Sequence, residues 1–230
     1  MKKIWLDTET TGLSPIINDV VQAAGIIEID RQTVETFSIF SRPEDFTNIS
    51  PKALAVNGLT IEQMKSFAPA ELAYNQFNKI LSKYVDINNQ YDRLIPCGHC
   101  VNFDVDFVSA WSTKAKNDNF LLHHNRLDLM SLVLMCKDLR LYSGHTTLTA
   151  ICKWLGVELK NAHNALADII ATRECYYKIV DILQKRDIPM AVDSAILKTT
   201  CTGGSETSHT DKVKEAALKI QKKQKKVLWK

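Results

Sequence analysis

The chain has 230 residues, 45% hydrophobic and 24% charged, which suits a soluble globular protein with one substantial domain and an appendage. Its net charge of +3 hides an asymmetry: residues 209–230 hold eight lysines against Asp211 and Glu215, so that segment carries +6 and residues 1–208 carry −3. A body of that sign excludes nucleic-acid binding through a broadly basic surface, and bound cations or a local patch must offset phosphate charge. The start, "MKKIWLDTET", has only "IWL" before acid arrives, too short for a signal segment or a membrane span. A cytoplasmic protein with no membrane partner is expected. Cysteines 97, 100, 136, 152, 175 and 201 form no regular framework and read as reduced thiols.

In chain order, "KKIWLDT", "DVVQAAGIIEID" and "TVETFSIFSR" predict three strands in an antiparallel meander, rich in Val, Ile and Phe. Helices follow: Ser50-Pro51 and Thr60 are start signals, and Leu72, Phe77, Ile80, Leu81 and Tyr84 recur near helical spacing. "RLIPCG" predicts a buried strand, "NFDVDFVSAWSTKA" a helix, and "RLDLM" a short strand. "SLVLMCKDLRLY", "TLTAICKWLG" and "NALADIIATRECYYKIVDILQK" predict helices. Strands alternating with helices after a meander imply a mixed five-stranded α/β sheet flanked by helices. The pattern lapses over 188–208, where "KTTCTGGSETSH" has linker composition. The expected organisation is a domain over 1–187, a linker over 188–208 and a basic tail over 209–230. Val213, Ala217, Ile220 and Val227 would line one helical face of that tail.

Three acidic clusters carry the chemistry. In "DTETTG", strand alternation projects Asp7 and Glu9 side by side, and their repulsion requires a shared proton or a divalent cation unless the stretch is only an acidic turn closed by Gly12. In "GHCVNFDVDF", Asp104 falls near a helix start beyond a strand, and Asp106 reads as a solvated helix residue. In "AHNALAD", His163 and Asp168 are five apart, roughly 500° of helical rotation, so His163 precedes the helix while Asp168 lies in its first turns.

Together these stretches resemble the three exonuclease motifs of the DEDDh 3′→5′ exonucleases, the family of the proofreading epsilon subunit of bacterial DNA polymerase III. "ISPKALAVNGLT" is similar to the segment that usually holds His-Gly-Ile-Thr, and "TTLTAICKWLGVELKNAHNALADIIAT" to the closing helices, so the likeness spans residues 2–185. The resemblance implies a ribonuclease H-like fold and two Mg²⁺ or Mn²⁺ ions held by Asp7, Glu9, Asp104 and Asp168, with His163 as general base. It further implies substrate contacts at Thr8, Thr10, Leu13, His99, Asn102 and Phe103. Asn57 stands where the family usually has His, and Cys100 where Asn is common. The activity implied is two-metal hydrolysis at single-stranded or frayed DNA 3′ ends, releasing nucleoside 5′-monophosphates.

An RNA-directed enzyme resembling ribonuclease T or oligoribonuclease is the alternative, because the same chemistry cuts either polymer. A polymerase-associated docking subunit is another, since the tail offers phosphate-binding lysines and "QKKVLW", which faintly resembles a sliding-clamp peptide. No polymerase domain is visible, so proofreading would require a DNA polymerase in trans. "CGHC" at 97–100 is also a disulfide-isomerase pattern, but it leads directly into the second acidic motif and lacks a thioredoxin-like context.

Overall fold

A computed structural model describes residues 1–117, 119–159 and 164–185. Strand β1 (Lys2–Thr10) pairs antiparallel with β2 (Val20–Ile29), which pairs antiparallel with β3 (Gln32–Arg42). This is the expected meander. β2 is buried along almost its whole length and does not alternate, because the sheet is covered on both faces there. β3 alternates between buried and exposed residues, as a strand with one wet face does.

Three short helices follow the meander. Helix α1 (Pro51–Asn57) begins after Ser50 with Pro51 in its first turn and ends at Gly58 in the left-handed conformation. Helix α2 (Ile61–Ser66) opens with a reciprocal capping box between Thr60 and Gln63. Both start signals were legible in the sequence. Helix α3 (Ala70–Ser82) buries Ala73, Tyr74, Phe77 and Leu81, whereas Leu72, assigned to the inner stripe by spacing, is 60% exposed. Between α2 and α3 a two-residue strand, β4 (Ala68–Pro69), pairs with β3. It makes the sheet six-stranded rather than five, and two residues are too few to show any periodicity.

The rest of the sheet is parallel. β5 (Ile95–Gly98) lies beside β1, leads into α4 (Val101–Lys114), and pairs with β6 (Leu127–Asp128). The order is β4-β3-β2-β1-β5-β6. The helix after β6 starts earlier than "SLVLM" suggests: α5 (Leu129–Asp138) begins at Leu129 because the Asp128 side chain accepts from Met130 N at 2.8 Å. Helices α6 (Leu148–Leu155) and α7 (Ala165–Gln184) are capped by Thr147 and Asn164. Among the described residues no helix is long and apolar enough to cross a membrane.

Alternation along β1 divides the interior. Ile4 and Leu6 join a core with α3 and α4 that includes Phe77, Phe107 and Trp111. Trp5 faces the other way, against Ile26, Cys97 and Ile169 of α7. A third cluster packs α5, α6 and α7 together. Asp7 and Glu9, in register with Trp5, therefore face α7 at the carboxyl end of the central strand.

Candidate active site

The register of β1 against β2 shifts between Glu9 and Thr10: Glu9 lies opposite Gln22, but Thr10 opposite Val20. A bulge of this kind bends the strand and re-aims side chains. Beyond it the chain makes a tightly tied loop. Thr11 N donates to Asp19 O at 2.8 Å, Asp19 N to the Thr11 hydroxyl at 2.8 Å, and Ser14 N to the Asn18 side chain at 3.0 Å. A Cβ on Gly12 would collide with that Asn18 side chain, so glycine is required by close packing.

Four carboxylates from three elements meet at this edge. Asp7 and Glu9 come from β1, Asp104 from the first turn of α4, and Asp168 from the first turn of α7. Asp104 is 3% exposed, and its Oδ1 accepts from Thr8 N at 2.9 Å and from the Thr8 hydroxyl at 2.8 Å. Burial pushes Asp7 well above the usual carboxylate range, and the charges of Asp104, Glu9 and Asp168 push it further. Glu9 rises to about 7 through burial and the charge of Asp168. Asp104 also rises to about 7, because burial outweighs the two Thr8 hydrogen bonds that favour its ionised form.

The four carboxylates offer oxygen donors, and their shared repulsion is what a hard divalent cation relieves, so these residues fit Mg²⁺ or Mn²⁺ chemically. Among the described residues, however, no three His, Cys, Asp or Glu side chains are placed to hold one ion as they stand. The two facts are compatible, since charge interaction reaches well beyond a bond of about 2.1 Å. His163, the expected base, lies outside the described residues.

The remaining sequence candidates divide. Leu13 is 86% exposed at the tip of the loop, free to meet a ligand. Asn102 is exposed and accepts from Arg126, while Phe103 is half-buried against Phe107, with ring centroids 4.7 Å apart. His99 is half-buried, and its Nε2 bonds to Thr146 O at 2.8 Å. Thr8 and Thr10 are both buried, Thr8 donating to Asp104 and Thr10 to Gly12 O at 2.6 Å, so their hydroxyls are engaged in organising the site. Asp106 is exposed, as expected. Cys97 and Cys100 are both free, Cys97 buried on the sheet and Cys100 exposed at the start of α4.

Two features escaped the sequence reading. Asp128 receives Cys100 N at 3.0 Å while capping α5, and its charge contributes to raising Asp104. An Asp preceding a helical run was the available signal. Ile16 and Ile17, 85% and 57% exposed, share the loop with Leu13. Large aliphatic side chains held outward by a tied loop have no sequence signature.

A family model described as Exonuclease matches residues 4–176. The PolC-type DNA polymerase III of Thermotoga petrophila is 24% identical over 197 residues, covering 86% of this chain and 13% of that protein. The oligoribonuclease of Chromobacterium violaceum is 27% identical over 179 residues, covering 74% of this chain and 89% of that protein. Among solved structures, E. coli Exonuclease I in complex with a dT13 oligonucleotide is 21% identical with a TM-score of 0.67, covering 80% of this chain and 41% of its own. The chain thus spans about an eighth of the polymerases and under half of Exonuclease I, and it shares the ribonuclease H-like fold. By the extent of the family match, this chain belongs to the RNase T exonuclease family.

Proposed function

We propose that the chain is a DEDDh-type 3′→5′ exonuclease that removes nucleoside 5′-monophosphates from unpaired DNA ends. The observation that carries this reading is the convergence of Asp7, Glu9, Asp104 and Asp168, each interacting by charge with at least one of the others. Spread over three elements, they are brought together at a sheet edge where burial and mutual charge hold Asp7, Glu9 and Asp104 above the usual carboxylate range, a strain that cationic charge would relieve. Divalent cations held by these four residues would neutralise that charge and supply the Lewis acidity that phosphodiester hydrolysis needs.

The chain's own residues supply the rest. Thr8 holds Asp104 through two hydrogen bonds and fixes the direction of one ligand carboxylate. His163 takes the proton of the attacking water, a task suited to an imidazole whose unperturbed pKa is near neutral. Leu13, Ile16 and Ile17 receive the apolar faces of the terminal bases, and the tied loop presents them without an ordering penalty on binding.

The second reading, action on RNA, is supported by the oligoribonuclease relative, which the chain covers almost end to end where the polymerases are covered in small part. Recruitment by a DNA polymerase or a sliding clamp through residues 209–230 is likewise a proposal, and that segment lies outside the described residues.

The test is digestion of matched 5′-labelled DNA and RNA oligonucleotides with Mg²⁺ or Mn²⁺, with Asp7→Ala as control. Stepwise shortening of DNA that the control lacks is the expected result. Faster shortening of RNA would favour the second reading, and no cleavage of either polymer with either ion would overturn both.

A further inference from the structure

Toward the amino end of β1, on the face that carries Asp7 and Glu9, lies a second charged cluster that the catalytic reading does not use. Glu28 of β2 sits opposite Lys3 in the antiparallel register and is fully buried. Its Oε1 accepts from Lys3 Nζ at 3.1 Å and from the Tyr177 hydroxyl. Its Oε2 accepts from Trp5 Nε1 at 3.2 Å and from Arg173 Nε at 2.7 Å. The Lys3 ammonium is itself enclosed by the rings of Trp5, Tyr176 and Tyr177, whose centroids lie 5.1–5.8 Å away.

One carboxylate thus gathers two donors from β1 and two from α7. A buried ion cluster is weak evidence for stability, and its best-attested use is to specify register. Register matters here because the contacts of α7 with the sheet through Ile169 and Tyr176 are apolar or aromatic and tolerate sliding, whereas Arg173 and Tyr177 are tied to Glu28, and Tyr177 to Lys3 as well. Arg173 lies five residues beyond Asp168, about 7.5 Å along the helix axis and roughly 140° around it. Arg173 therefore sits at one margin of the buried stripe within which Asp168 lies, and an anchor at that margin opposes rolling as well as sliding. A roll of about 20° would carry a carboxylate about 6 Å from the helix axis through about 2 Å. A misplacement of about 1 Å is already enough to impair a catalytic constellation severely.

We propose that Glu28 is a positioning residue which, through Arg173 and Tyr177, sets the register of α7 and so holds Asp168 against Asp7 and Glu9. The inference rests on the cation-site reading above. The test is calorimetric titration of the full chain with Mn²⁺ alone, comparing wild type, Glu28→Gln, Tyr177→Phe and the control Glu35→Gln. Glu35 also binds a lysine and a tyrosine, but these, Lys83 and Tyr84, lie just past the end of α3 and not on α7.

Glu28→Gln is expected to weaken Mn²⁺ binding about tenfold, in keeping with 10–100-fold losses on removing outer-shell support, with Tyr177→Phe intermediate and Glu35→Gln unchanged. The Mn²⁺ concentration for half-maximal activity should rise in parallel, while turnover at saturating Mn²⁺ recovers. Wild-type affinity in both Glu28→Gln and Tyr177→Phe would overturn the positioning role. Absence of Mn²⁺ binding by the wild type would instead overturn the cation site itself. Should Glu28→Gln fail to fold by circular dichroism, Tyr177→Phe decides alone.

Discussion

The surroundings of the two ends of β1 handle charge in opposite ways. Near the amino end, Glu28 is surrounded by donors: burial alone would raise its pKa, but hydrogen bonds from Tyr177, Arg173 and Lys3 hold it below the usual range. At the carboxyl end, Asp7, Glu9 and Asp104 are surrounded chiefly by other acids and by low-dielectric interior, and all three rise. The same burial is therefore offset where donors are built in and left uncompensated where they are not. A protein whose only requirement was to fold would have no reason to keep the second arrangement, and this is what supports the proposed site at the carboxyl end, where stability would yield to function.

Breaking the acidic end has the largest expected effect. Asp7→Ala should lower cleavage by on the order of 10³-fold or more, the several kcal/mol that a metal site contributes, measured as single-turnover rates on a labelled oligonucleotide. Asp7→Asn should be equally inactive yet more stable than wild type when metal-free, with Tm rising by roughly 2–4 °C for each kcal/mol of repulsion relieved. A lower Tm at pH 7.5 by calorimetry would contradict this.

Next in size is Thr8→Val, which removes the hydroxyl that holds Asp104 and leaves the backbone bond. Loss of about 10–100-fold in cation affinity or activity is expected, with the fold intact. Unchanged kinetics would show that Thr8 N orients Asp104 unaided.

The pH dependence of metal-free stability separates the two ends without mutation. Glu9 and Asp104 have folded pKa values of about 7, raised from 4.5 and 3.8. A raised acid binds its proton more tightly in the folded state, so its stabilisation is present at low pH and is lost as pH rises from about 4 to 7. Glu28 has the opposite sign. Its folded pKa is depressed, so its contribution is present above about 4.5 and is lost as pH falls through the lower folded value. Tm should decline from pH 4.5 to 7, Mn²⁺ should restore it at neutral pH, and Glu28→Gln should flatten only the acid side.

The smallest effect on the fold is expected from Ile16→Ser with Ile17→Ser. Both side chains are already exposed, so stability should change by less than about 0.5 kcal/mol for each. KM for single-stranded substrate should rise several-fold with kcat preserved. A marked fall in Tm would show that these side chains pack in solution.

How far the sequence reached can be judged from particular residues. The meander, the buried strand β5 and the helix starts at Ser50-Pro51 and Thr60 were legible, because strand patterns and capping chemistry are local. The four acids were legible because their spacing within each motif is local too, and resemblance joined the motifs. Leu72 and β4 were misread or missed for a shared reason: helical spacing does not say which neighbour covers a face, and a two-residue strand exists only because β3 is beside it. That the Thr8 and Thr10 hydroxyls turn to Asp104 and Gly12 was likewise not legible, because both partners are set by the fold around β1.

Tertiary structure alone decided the charge balance. That Asp7 meets acids from α4 and α7, whereas Glu28, on the neighbouring strand of the same face, meets Lys3, Arg173 and Tyr177, depends on partners 25 to 161 positions away in the chain. Sequence specifies which side chains alternate along β1. Electrostatic fate follows from what the crossing of α4 and α7 brings within a few ångströms, and Coulomb energy depends on that distance and its dielectric, not on separation along the chain.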